Sequence, residues 1–205
     1  IADEIILSGQ GPFDYAFLQI GGGGMAAGVA TWLKMHHPEI KIIGIEQEGQ
    51  ACMKAAFEAG APITLDQIDT FCDGTAVTRA GDVSYALCQD ALDDIITVTN
   101  EETSAAIQRY WDEMRIIPET SGALGMAGLI RYNEDHTNIL KGKKSIVIVS
   151  GANLDFSKLA LIANNSAIGS GRKHYYHFNL PEERGSLLNL LDTVFAGINI
   201  TSFQY

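Results

Sequence analysis

The chain has 205 residues, with 14 basic side chains against 25 acidic ones and a formal net charge of −11. That length suits one ordinary domain, or one domain and a small neighbour. With 46% hydrophobic and 19% charged residues it can bury a substantial core, which excludes a disordered chain.

The negative balance argues against a nucleic-acid backbone or an anionic membrane surface as the main partner. No run of about 18 apolar residues is present to span a bilayer. Cys52, Cys72 and Cys88 form no CxxC pair and read as reduced, mostly buried thiols of a cytoplasmic protein.

In chain order, Tyr15 to Ile20 is a short apolar run that stops at Gly21, as a buried parallel strand would. A helix is predicted from Met25 to about His37, ending before Pro38. Lys41 to Glu46 reads as a second buried strand, followed by a helix over Ala51 to Ala59 that ends at Gly60. Ser84 to Leu92 reads as a helix and Asp94 to Val98 as a strand. Thr99 or Asn100 caps a helix over Glu101 to Met114, with acidic groups in its first turn. Ser121 to Tyr132 is rich in Ala, Gly and Leu and reads as a closely packed helix; Ser145 to Val149 is the clearest strand. Strands interleaved with helices predict an α/β domain with a mostly parallel sheet.

After Asn164 the texture changes. Residues 166–173 read as a linker, His174 to Leu180 as a strand, Gly185 to Phe195 as an amphipathic helix and Ile198 to Tyr205 as a second strand. That β-α-β unit resembles the opening of a small α+β domain.

The sharpest local signal is Gly21-Gly22-Gly23-Gly24, placed where a strand ends and a helix begins. Four residues without a Cβ allow a tight turn that brings several N–H groups to one point, and the helix end adds partial positive charge. This is the chemistry of a phosphate cradle, although a plain strand-to-helix turn has the same composition. Pattern alone leaves the ligand open. Gly22-x-Gly24-x-x-Ala27 fits the dinucleotide fingerprint, and Glu46 ends the next strand about where a ribose-binding acid belongs.

Longer stretches carry a family resemblance. Ile20 to Gly28 resembles the tetraglycine loop of the fold-type II pyridoxal-phosphate enzymes. Phe71 to Val77, Leu92 to Val98, Pro118 to Ala123 and Val149 to Asn153 follow in family order, with threonine dehydratases nearest and serine racemase and serine dehydratase close behind. His177 to Leu187 is similar to the start of the ACT-like regulatory domain of threonine dehydratases.

The resemblance implies pyridoxal 5′-phosphate as cofactor, with Gly21, Gly22, Gly23 and Gly24 holding its phosphate and Gly74 giving close backbone approach to its ring. It implies that Ser150 faces the ring nitrogen and that Glu119 lies near the cofactor. In isolation Ser150 reads equally as a polar cap after a strand, Glu119 as a surface carboxylate and Gly74 as part of a turn. In serine racemase the residue aligned with Glu46 binds a divalent cation, but the aligned aspartate is Cys52 here, which removes a hard oxygen ligand, so no metal site is expected.

Two family elements are absent. No lysine stands in the Ser-Phe-Lys-type context that supplies the Schiff-base lysine, and the Asn-rich substrate loop is missing too. Together with a start on Ile1 and a stop in an apparent strand, this leads us to expect an interior fragment. Residues 1–165 would be the second half of a catalytic domain, built as a partial three-layer α/β fold; 166–173 would be a linker. Residues 174–205 would be the first β-α-β of a truncated regulatory domain. The implied parent converts L-threonine to 2-oxobutanoate and ammonia, acts on a small amino acid, responds to a branched-chain amino-acid effector and forms a homo-oligomer. A serine-specific relative, or a non-catalytic dinucleotide-binding or regulatory module, are the competing readings.

Overall fold

The computed structural model describes residues 1–204. Contacts divide them into one unit of Ile1–Lys173 and a second from His174 onward.

The first unit is built on four parallel strands: β1 (Tyr15–Gln19), β2 (Lys41–Gln47), β3 (Asp94–Val98) and β4 (Ser145–Val147), in the order β3-β2-β1-β4. β1 is central, pairing Tyr15 with Lys41 on one side and with Ser145 on the other. Alternate side chains of each strand point to opposite faces of the sheet, and both faces are covered. Ala16, Leu18 and Ile42 join a core with helices α2 (Gly24–His36), α3 (Cys52–Ala59) and α4 (Asp82–Ala91). Tyr15, Phe17, Ile43 and Ile45 join a second core with α5 (Asn100–Met114), α6 (Thr120–Asp135) and Ile162 of α7 (Lys158–Gly169). Burial on both faces is why these strands read as continuous apolar runs, and the result is a three-layer α/β arrangement.

The helices start and stop for local reasons. α5 carries a capping box: Thr99 Oγ1 accepts the Glu102 N–H at 3.1 Å, and the Glu102 carboxylate accepts the Thr99 N–H at 2.8 Å. α3 ends on Gly60 at φ 74°. α6 lies close to the sheet because Gly128 meets Ile45 with no room for a Cβ.

Three features depart from expectation. A short helix α1 (Ala2–Leu7) precedes the first strand, with no side-chain cap to announce it. The expected linker is helical as far as Gly169, because Ser166 is buried and donates to Gln108 at 2.6 Å, tying α7 to α5. In the second unit only α8 (Ser186–Thr193) is regular, and neither expected strand forms among the described residues; Tyr205 of the second lies outside them. No described residue of this unit is buried. A strand gains stability from a ladder and a covered face, and neither segment has either. Aromatic rings meet within it, as Phe178 does Phe195, 5.3 Å apart edge to face.

Candidate active site

The carboxyl ends of β1 and β4 lie side by side, and loops leaving adjacent parallel strands enclose a cleft there. Its volume is about 260 Å³, and it is lined by Gln19, Gly21, Gly22, Gly23, Gly24, Met25, Ala26, Gly74, Thr75, Glu119, Ser121 and Ser150. The residues that the family resemblance assigned to the cofactor or to catalysis, Gly21 to Gly24, Gly74, Glu119 and Ser150, thus border one space.

The floor is the glycine loop. Gly23, at φ 92°, is the N-cap of α2, and no side chain caps that helix. The first intrahelical bond runs from Ala27 N–H to Gly23 O, at 2.8 Å, so the preceding N–H groups of the first turn have no partner within the helix. A helix N-terminus with free donors favours an anion. The surroundings fix the loop. A Cβ at Gly21 would stand 3.1 Å from the Thr75 Cα and carbonyl oxygen. At Gly23 it would collide with the Met53 methyl and Ser84, whereas Gly22 and Gly24 face open space. The Gly22 carbonyl also accepts the Gly81 N–H at 3.1 Å.

The opposite wall comes from α6 and the segment after β4. Glu119 N–H donates to Gly151 O at 3.1 Å, and Gly122 packs on the Ser150 carbonyl so tightly that a Cβ there would overlap it. A Cβ on Gly74 would lie 3.0 Å from both Glu119 Oε1 and Ser121 Oγ, so only a glycine leaves this corner open. Thr75 Oγ1 sits 3.1 Å from the Cys72 carbonyl and 3.2 Å from Ser121 Oγ.

Gln19, Thr75 and Ser121 were not singled out in the sequence. The signal for Gln19 was an amide in an otherwise apolar strand, and it is 6% exposed. Its Nε2 donates to Ile148 O and to Ser150 Oγ, both at 3.1 Å.

Glu46 does not border the cleft. It is fully buried and spends both carboxylate oxygens on the N–H groups of Met53 and Lys54, each at 2.8 Å, capping α3 from a distance. Burial pushes its carboxyl up to about 7 against the pull of those two donors. Neither a ribose contact nor a cation is served by a carboxylate used this way. Among the described residues, no group of three or more His, Cys, Asp or Glu could hold a metal.

The comparisons with known proteins bear on the same region. Residues 1–151 match the family described as "Pyridoxal-phosphate dependent enzyme". The chain belongs to this family. Residues 164–205 match the C-terminal regulatory domain of threonine dehydratase.

Among curated relatives, L-threonine dehydratase biosynthetic IlvA of Haemophilus influenzae is 41% identical over 212 residues, covering 98% of this chain and 41% of the relative. The threonine dehydratase of Nicotiana attenuata is also 41% identical, over 92% of this chain and 31% of its own length. Among solved structures, the processed form of threonine deaminase isoform 2 from Solanum lycopersicum superposes with TM-score 0.77 at 40% identity, over 81% of this chain and 48% of that one. Maize serine racemase gives 0.68 at 28%, over 78% and 50%. The chain thus spans between about a third and a half of the length of the curated relatives it matches.

The cleft of this pyridoxal-phosphate family member suits that cofactor on its own evidence. The glycine loop offers an anion site whose walls exclude a Cβ at two positions, and Ser150 offers a neutral hydroxyl across the same space. None of the residues lining it is a lysine.

Proposed function

We propose that these 205 residues provide the phosphate cradle and the ring-nitrogen side of a threonine dehydratase. The whole protein would convert L-threonine to 2-oxobutanoate and ammonia, as a step of isoleucine biosynthesis in the cytoplasm. The observation that carries this is the cleft itself, in which Gly21–Gly24, Gly74, Glu119 and Ser150 meet at the ends of neighbouring strands. The names of the relatives and the family of residues 1–151 support the same reading.

When bound, pyridoxal phosphate would supply an electron-withdrawing ring conjugated through the substrate's amino nitrogen. The chain's own groups do the rest of what can be argued here. The first-turn N–H groups of α2 would hold the phosphate. Gly74 leaves room for the ring to lie close to the backbone, beside Glu119. The Ser150 hydroxyl would face the ring nitrogen without carrying a charge, which would leave that nitrogen mostly unprotonated and suit elimination. The Schiff-base lysine would come from a segment outside these residues, and residues 1–165 would then form the second half of the catalytic domain.

The match of residues 164–205 to a threonine dehydratase regulatory domain favours threonine over serine; on this reading the whole protein would respond to a branched-chain amino-acid effector and form a homo-oligomer. Turnover of L-threonine and L-serine by the complete protein tests this. Faster release of 2-oxobutanoate is expected, and preferential release of pyruvate would refute the threonine reading.

A further inference from the structure

The most informative polar group outside the expected set is the Gln19 amide. It is buried at the end of the central strand, and its Oε1 has no hydrogen-bond partner among the described residues. The orientation of the amide is nevertheless fixed. Ile148 O is a backbone carbonyl and can only accept, so the group facing it at 3.1 Å must be the NH₂. That nitrogen has two hydrogens. One goes to Ile148 O, and the second points at Ser150 Oγ, also at 3.1 Å.

We infer that Gln19 is a positioning residue that sets the polarity of Ser150, making its hydroxyl a hydrogen-bond donor to a pyridine-type nitrogen in the cleft. A hydroxyl has one hydrogen and two lone pairs. When the Gln19 amide donates into one lone pair, the serine proton is left without a competing acceptor on that side and turns into the cleft. Donation into the oxygen also polarises the O–H bond, which strengthens its own donation. The bond to Ile148 O does a second job. β4 pairs with β1 only as far as Val147 opposite Phe17. The Gln19 side chain takes over from the ladder at the next residue, so one amide fixes both the path of the chain into Ser150 and the direction of its proton. The inference rests on the cofactor reading given above.

The test uses the full chain and the aldehyde-free probe 4-deoxypyridoxine 5′-phosphate, which needs no Schiff-base lysine. Its near-ultraviolet absorption reports the state of its ring nitrogen, and inorganic phosphate serves as a probe of the cradle alone. Gln19→Met keeps the volume and removes the donor. It should weaken the pyridine probe about fivefold, the value of one neutral hydrogen bond, and shift its spectrum, while phosphate affinity stays constant.

In a Ser150→Ala background the same substitution should have no further effect on the probe, because the interaction it supports is gone. An unchanged spectrum and affinity in Gln19→Met, or a full effect persisting in the Ser150→Ala background, would overturn the role of Gln19 alone. Failure of the wild-type chain to bind the probe while it still binds phosphate would overturn the cofactor reading and this inference with it. Retained phosphate binding by Gln19→Met reports that the variant is folded. If it is lost, Gln19→Leu and the wild-type spectrum decide the matter: a wild-type ring nitrogen that is protonated would refute donation by Ser150.

Discussion

The Met53 methyl group occupies the space that a Cβ on Gly23 would need. Residue 53 is in the first turn of α3 and residue 23 caps α2, so the start of one helix buttresses the start of another. Cys52 reinforces the contact, its thiol reaching the Gly21 carbonyl at 3.6 Å.

Gly23→Ala is therefore expected to fail on two counts, a positive φ and a collision with Met53 and Ser84. A destabilisation of about 1–3 kcal/mol is expected, with phosphate binding lost. Gly22→Ala meets nothing in the fold. It should melt like the wild type and bind phosphate less well, because its methyl group enters the cleft. Thermal melts beside phosphate titrations separate the two.

Glu46 makes stability depend on pH in an unusual direction. Burial raises its carboxyl from the ordinary 4.5 to about 7. Between those values the folded chain holds a proton that the unfolded chain has released, so stability falls as pH rises through this window. The contribution is fully favourable below about 4.5 and lost above about 7, with a span of roughly 3 kcal/mol from a shift of this size. Urea melts of Glu46→Gln against wild type should show that slope removed; a parallel pair of pH profiles would disprove it.

Thr99→Ala removes one half of the α5 capping box and should destabilise the chain by about 1 kcal/mol. Glu102 keeps its ion pair with Arg131 at 2.8 Å, so the loss is confined to the cap. Chemical denaturation measures it.

Gly122→Ala forces α6 away from the Ser150 carbonyl. The expected cost is about 1–3 kcal/mol of stability, and pyridine-probe affinity should fall with phosphate affinity nearly unchanged. On the proposed function, Ser150→Asp in the complete protein should slow threonine turnover about tenfold, equivalent to about 1.4 kcal/mol in the barrier, again with phosphate affinity preserved.

How much of this was legible in the residues depends on whether the cause was local. The strands could be read because burial on both faces leaves continuous apolar runs, as in Lys41 to Glu46. Thr99 and Glu102 announced their own cap, and the four glycines announced a turn with free donors. What escaped reading depended on partners far away in the chain. Gln19 looked like a polar interruption until Ile148 and Ser150 were set beside it. Glu46 offered two uses as a strand-end acid, ribose contact and cation binding, and only the position of α3 chose a third. The alternation in His174 to Leu180 was a real strand pattern, yet a pattern of that kind becomes a strand only against a neighbour.

The strand order has a consequence for how the cleft comes into being. The glycine loop and its flanking β1–β2 pair close over a short stretch of chain, but Gln19 and Ser150 are 131 residues apart in sequence. Closing that separation costs about 1–2 kcal/mol more in loop entropy than closing the β1–β2 pair, which puts it among the later contacts of folding. The phosphate side can thus be assembled by nearby residues, while the ring side waits for β4 to dock. On the proposed cofactor reading, phosphate binding and pyridine binding should become two clocks on the same refolding molecule, one read early and the other only when the sheet is complete.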